Sequence, residues 1–253
     1  MTPGKDPSRL VTVTNALQLL KQFHSGDAEL GVLELSRRMG ISKSAVSRMV
    51  TTFVEEAILE RNPRTGKYHL SPLLLELGLI AEEHDPLLAA IRPLIEHLAA
   101  ETGFHTSFHL RDDHELICLA ACGTNGPAPG ERAALWETLY GLTILAFSED
   151  HPQRWLEQHA DTATTPRLPR GPAQLAEVLA EIDQTGYAIG PELTGANRWC
   201  VVCPVFNDTG RAVAALALTG LPIDQQALRA AVPVVGKTAQ QLAQRMGSFF
   251  SRS

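Results

Sequence analysis

Apolar positions recur three and four residues apart through the first hundred residues, the spacing of amphipathic helices. Ala16, Leu17, Leu19 and Leu20 supply the apolar face of a first helix, which Thr14 can cap and which runs to about Phe23. His24-Ser25-Gly26-Asp27 reads as a loop. A short helix follows from about Val32 to Met39 and stops at Gly40, a residue that ends helices easily. Ser42 then caps a third helix, about Lys43 to Ala57, whose apolar side is Val46, Met49, Val50, Phe53, Val54 and Ala57. Two short runs, Ile58-Leu59-Glu60-Arg61 and Lys67-Tyr68-His69-Leu70, flank the turn Asn62-Pro63-Arg64-Thr65-Gly66 and predict a hairpin. Helix, helix, turn, helix, hairpin is the order of a winged helix-turn-helix.

Pro72 opens another helix to about Glu83, His84-Asp85-Pro86 breaks it, and a further helix runs from about Leu87 to Glu101. From Gly103 the pattern is mixed. Phe104 to Leu110 and Leu116 to Cys122 predict strands around Arg111-Asp112-Asp113-His114, and residues 123–130 a loop. Ala173 to Gln184 predicts a helix with Leu175, Val178, Leu179 and Ile182 on one face. Trp199 to Phe206 and Ala212 to Thr219 are strands joined by Asn207-Asp208-Thr209-Gly210. A last helix runs from near Asp224 to about Phe249, with Pro233 inside it. The expected class is α+β: a winged helix-turn-helix over residues 1–71, a helical linker over 72–84, and an α/β sensing domain with an antiparallel sheet over 85–253.

Charge sharpens this division. The net charge is −6, which read globally argues against a nucleic-acid partner. Residues 1–80 carry 10 Lys/Arg and 8 Asp/Glu, or +2, and the remainder carries 12 and 20, or −8. A small module that faces DNA, joined to an acidic domain that stays off the phosphates, fits that asymmetry. No apolar run approaches the length of a membrane helix. The polar start, Met1 to Leu10, lacks the apolar core of a signal peptide. The expectation is therefore a cytoplasmic protein whose four cysteines are reduced thiols.

The third helix carries the chemistry. Opposite its apolar side lie Ser44, Ser47, Arg48 and Thr51, short or basic side chains that let the backbone approach a duplex. A major groove about 12 Å wide admits such a helix, N-terminal end first. Ser44, Ser47 and Arg48 are assigned to base or phosphate contact and Lys43 to phosphate, while Arg64, Thr65 and Lys67 at the hairpin tip can meet backbone or minor groove.

Other constellations are weaker. Cys200 and Cys203, three apart in a strand, fall on opposite faces and cannot share a metal or a disulfide. Cys118 and Cys122 share a face but lie roughly 13 Å apart, as do His105 and His109. Phosphate-binding and nucleophile-elbow motifs are absent. An enzyme in the C-terminal domain is the alternative, and no convergent acid, base or nucleophile set supports it; no cofactor or metal is assigned.

The stretch Leu35-Ser36-Arg37-Arg38-Met39-Gly40-Ile41-Ser42-Lys43-Ser44-Ala45-Val46-Ser47-Arg48, with Arg61 to Leu70 and Leu75-Glu76-Leu77-Gly78, resembles the IclR family of bacterial regulators. Gly186-Tyr187-Ala188, Arg198 to Phe206 and Ala215 to Gly220 are similar to that family's effector domain. The resemblance implies a homodimer or dimer of dimers on a near-palindromic operator, repressing or otherwise regulating a catabolic or metabolic operon in response to a small effector, an organic acid or aromatic compound. By position it carries over Trp136, Thr138, Glu192, Cys200 and Thr219 as pocket residues, and Arg198 is the nearest donor for an acid. Where the family has a Pro-Leu-His-Ala-Thr-like stretch this chain has Ala134-Leu135-Trp136-Glu137-Thr138, which puts an indole where the pocket should open. Ala120 and Ala121 replace the charges usual there. Trp136 and Tyr140 point to an apolar or aromatic ligand.

Overall fold

The computed structural model describes residues 10–23, 27–148, 172–193 and 197–250. His24, Ser25 and Gly26 of the expected loop lie outside the described residues. Contacts divide the chain into two units, Met1–His84 and Asp85–Ser253, in an α+β class with a helix-turn-helix first and an antiparallel sheet second.

In the first unit, α1 (Val11–Leu20), α2 (Val32–Met39) and α3 (Lys43–Glu55) precede β1 (Leu59–Arg61) and β2 (Tyr68–Leu70). Thr14 is not the cap of α1. The helix begins earlier, and Thr14 N–H bonds the Leu10 carbonyl inside its first turn. Leu17 is exposed, because the stripe that meets the core is Leu19, Leu20 and Phe23. Gly40 ends α2 in the left-handed region, at φ 64°. Ser42 caps α3 by accepting from Ala45 N–H at 3.3 Å. Leu19, Leu35, Val46, Val50 and Leu59 close a small core. Val54 and Ala57 fall outside it. The helix stops at Glu55, Ala57 turns to φ 56°, and Leu59 of β1 takes the next core position.

The β1–β2 hairpin is antiparallel, and Leu30 bridges to Tyr68 as a third short rung. α4 (Pro72–His84) follows and buries no side chain within the single chain.

The second unit opens with α5 (Pro86–Thr102), capped by Asp85. The strands β3 (His105–Asp112), β4 (Glu115–Cys122), β5 (Arg132–Ala134), β6 (Ala188–Pro191), β7 (Trp199–Phe206) and β8 (Ala212–Gly220) form one sheet in the order β5-β4-β3-β8-β7-β6. Every pair in it is antiparallel. β3 runs two residues further than its apolar pattern predicts. Arg111 and Asp112 still pair with Leu116 and Glu115, so the turn shrinks to two residues with Asp113 at φ 57°.

Both faces of the sheet are covered. One packs on α5 and on α8 (Gln225–Phe250), a helix that continues through Pro233, with Phe108, Val201, Cys203 and Leu216 in that core. The other packs on α6 (Leu139–Ala146) and α7 (Pro172–Thr185), with Cys200, Val202, Ala215 and Ala217 inward. Cys200 and Cys203 therefore point to opposite sides. Cys118 and Cys122 do so too, against the alternation expected of an unbroken strand. Phe108 pairs with Ala120 and His109 with Cys118, so Leu119 is an inserted residue and the bulge reverses the faces beyond it.

Replacing Ser42 by Ala removes the acceptor at the start of α3 and is expected to cost about 1 kcal/mol locally. Native-state amide exchange checks this: α3 amides should exchange about fivefold faster in Ser42→Ala, and Ser42→Asp should restore the protection.

Candidate DNA-reading face and effector cavity

The first candidate surface is α3. Val46 and Val50 are sealed, and Met49 and Phe53 are partly buried beside them. That seating turns Lys43, Ser44, Ser47, Arg48 and Thr51 outward, and all five are exposed. Thr51 donates back to the Ser47 carbonyl at 2.9 Å, and Ser44 Oγ lies 3.2 Å from Ser42 Oγ, so the ridge is held close to the helix body. Arg48 also borders a hollow of about 320 Å³ with Thr12, Asn15 and Met49.

The wing is braced by one carboxylate. Glu29 accepts from Asn62 Nδ2 at 2.6 Å and from Thr65 Oγ1 at 3.0 Å, bonds that hold its carboxyl below the usual range. Asn62 Oδ1 in turn accepts from the Arg64 N–H at 2.8 Å. Thr65 also accepts from the Lys67 N–H, so its hydroxyl is committed to the turn. Arg64 and Lys67 extend from this turn exposed.

The second candidate lies on the α6 face of the sheet, a cavity of about 190 Å³ lined by His109, Leu116, Pro127, Thr138, Tyr140, Glu192 and Arg198, with Glu131, Arg132 and Ala133 beside them. A larger and more open groove of about 590 Å³ has Glu96, Phe104, Thr124 and Thr219 along it, without comparable convergence of buried polar groups. Three of the sequence-predicted pocket residues, Thr138, Glu192 and Arg198, line the smaller cavity. Cys200 and Thr219 are a cross-strand pair behind it that holds Tyr140, whose Oη is 3.5 Å from each. Trp136 packs against the adjoining core and is not part of the lining.

Four polar groups converge there. Tyr140 Oη donates to Glu192 Oε1 at 3.2 Å, and Arg198 Nε donates to Glu192 Oε2 at 2.5 Å. The Glu192 N–H bonds the Arg198 carbonyl at 2.9 Å, which fixes the two residues across the mouth of the β6–β7 hairpin. Thr138 is absorbed by its own helix, accepting from Gly141 N–H at 3.0 Å. Gly141 is obligatory, since a Cβ would sit 1.8 Å from the Leu135 carbonyl oxygen.

Strand spacing alone makes His109 half of a distant pair with His105, and the structure gives it a place in this wall. Its ring stacks on Tyr140 at 4.1 Å and 10°, and Nε2 meets Ser107 Oγ at 2.9 Å. Burial pushes its pKa down to about 3, with a smaller push from His105. His105 is buried on the same face, with its pKa also lowered by burial against a smaller opposing pull from the Gly123 and Pro127 backbone, and neither ring nitrogen makes a well-formed hydrogen bond. Gly126 lies over this ring, where a Cβ would fall 1.9 Å from Cδ2.

Burial disarms three of the four thiols as nucleophiles. Burial raises Cys118, Cys200 and Cys203 to about 12, far from the thiolate range that reactivity needs. Among the described residues no group of three or more His, Cys, Asp or Glu could hold a metal ion, and no helix is long and apolar enough to cross a membrane.

Comparison with known proteins bears on both surfaces. Residues 12–63 match the IclR helix-turn-helix domain and residues 81–244 the bacterial transcriptional regulator IclR C-terminal domain. The chain is 28% identical over 216 residues to the HTH-type transcriptional regulator XynR of Escherichia coli, covering 83% of this chain and 86% of that one. Its fold is similar to an IclR transcriptional regulator from Alicyclobacillus acidocaldarius, with TM-score 0.82, 20% identity, and coverage of 94% and 100% of the two chains. It is also similar to an IclR homologue from Microbacterium hydrocarbonoxydans complexed with 4-hydroxybenzoate, with TM-score 0.73, 21% identity, and coverage of 94% and 99%.

Two outcomes follow from the buried histidines. His109 is neutral when folded and ordinary, near 6.5, when unfolded. Its share of stability is complete above pH 6.5 and is lost as pH falls towards 3, at about 1.4 kcal/mol per unit. Urea unfolding from pH 6.5 to 5 should show at least that slope, and His109→Phe, which keeps a ring on Tyr140, should reduce it to the share that His105 contributes. Gly126→Ala should destabilise the second unit by about 1–3 kcal/mol through the clash with His105, read as a lowered Tm.

Proposed function

The chain belongs to the IclR family of bacterial transcription regulators, with a DNA-binding helix-turn-helix and an effector-binding C-terminal domain rather than an enzyme, and from that premise we propose how its residues divide the work. α3 enters the major groove with Ser44, Ser47 and Arg48 at base edges or phosphates, Lys43 on phosphate and Thr51 alongside. The carrying observation is that all five are exposed on the face opposite two fully buried valines. Arg64 and Lys67 meet the backbone or minor groove from the wing, while Thr65 shapes the wing. The acidic second unit stays off the phosphates.

The operator is near-palindromic and bound by a homodimer or dimer of dimers. Leu75, Leu77, Leu79 and Ile80 of α4 are each half-exposed or more in the single chain, an apolar load that a second copy would cover. The segment 72–84 serves as the linker between the domains.

The 190 Å³ cavity is the effector site, and the regulated genes serve catabolism or metabolism. A relative of similar fold holds 4-hydroxybenzoate, and a one-ring compound suits the volume, since an apolar cavity of about 150 Å³ accepts benzene. Ligand affects DNA binding only so far as it binds one arrangement of the dimer better than the other.

Arg48→Ala is expected to weaken binding to the protein's own promoter region by more than about tenfold, equivalent to 1.4 kcal/mol, in gel shifts at fixed salt. Unchanged affinity removes α3 from the interface. A shallow salt dependence without sequence preference removes the DNA assignment altogether.

A further inference from the structure

We infer that the cavity of the second unit selects an uncharged, hydroxyl-bearing ligand, and that the Glu192–Arg198 ion pair turns carboxylates away. This rests on the reading of that cavity as the effector site. It departs from what two arginines in one lining suggest at first sight.

Both arginines are engaged. Arg198 donates to Glu192 at 2.5 Å, and the Glu192 side chain is only 3% exposed. Arg132 is held by Asp112 at 2.7 Å and by Glu115 at 2.9 Å. Two guanidinium charges are thus paired with three carboxylates, those of Glu192, Asp112 and Glu115, and Glu131 adds a fourth to the lining. The histidines on this face, His105 and His109, are driven towards their neutral forms by burial and supply no balancing charge.

A carboxylate entering this space has two routes, and both are unfavourable. It can sit beside Glu192 and share Arg198, bringing a second anion against a buried one. It can instead displace Glu192, leaving that carboxylate buried without its partner, which is the expensive way to break a buried pair. A hydroxyl group meets neither obstacle. It donates to a glutamate oxygen and accepts from the arginine N–H groups that Glu192 leaves over. The molecule already contains the precedent, for the Tyr140 hydroxyl donates to Glu192 Oε1 at 3.2 Å without disturbing the ion pair. That tyrosine, its ring stacked on His109, lines the cavity, whose volume suits one six-membered ring.

Two matched pairs of probes test this with the full chain by titration calorimetry: 4-hydroxybenzyl alcohol against 4-hydroxybenzoate, and D-glucose against D-glucuronate. Within each pair a CH₂OH group becomes a carboxylate. The expected result is that the wild type binds the neutral member of at least one pair about tenfold or more tightly than the acid. Glu192→Gln, which releases Arg198, should reverse that order, and Glu192→Asp, which keeps the charge, should preserve it. An acid that binds the wild type as well as its neutral partner overturns the inference and leaves the cavity as the effector site. If no probe binds the wild type but Glu192→Gln captures an acid, the carboxylate filter stands. Absence of binding to every variant overturns both the inference and the effector-site reading.

Discussion

Val46 and Val50 are sealed against Leu19, Leu35 and Leu59, and that seal decides which side of α3 water meets. The core is small, so it tolerates little rotation. Turning the helix by half a turn would carry both valines into water and bring Arg48, on the opposite side, inward without a partner, a cost of several kcal/mol from the charge alone. The cap at Ser42 and the left-handed Gly40 fix the helix start and its approach, and the core fixes its roll. The outward ridge is therefore a consequence of packing and not a property of the polar residues themselves.

The second unit obeys the related constraint of a sheet covered on both faces. β7 is paired on both edges and buried on both sides, so each of its side chains is committed to one of two interiors. Apolar residues satisfy both. The polar residues Ser107, His109, Thr219 and Glu192, together with Tyr140 of α6, gather towards the α6 side, where they satisfy one another around a small cavity. His105 lies on the same side under Gly126, with neither ring nitrogen in a well-formed hydrogen bond.

Much of this was legible in the chain. Gly40 and Ser42 punctuate α2 and α3 where local chemistry says they should, and Cys200 and Cys203 part company by simple alternation. What the pattern missed has physical causes. Thr14 looked like a cap because its hydroxyl is the right chemistry, yet the helix is extended by Val11, whose side chain gives no boundary signal. Cys118 and Cys122 were placed on one face because a bulge at Leu119 leaves no mark in an apolar run. Thr138, Glu192 and Arg198 were reached by resemblance. That Arg198 is held by Glu192, and that His109 stacks on Tyr140, depends on contacts between strands and helices far apart in sequence. The resemblance places Trp136 in the pocket by position as well, and the turn before α6 packs it against the adjoining core instead.

The central claim is that the α3 ridge reads duplex DNA through the major groove. Dimethyl sulfate interference on the chain's own promoter fragment tests it most directly, because the reagent methylates guanine N7 on the major-groove edge. The account predicts two clusters of interference related by a two-fold axis, about one helical turn or a whole number of turns apart. Binding that persists undiminished through methylation of every guanine in the protected region would contradict it.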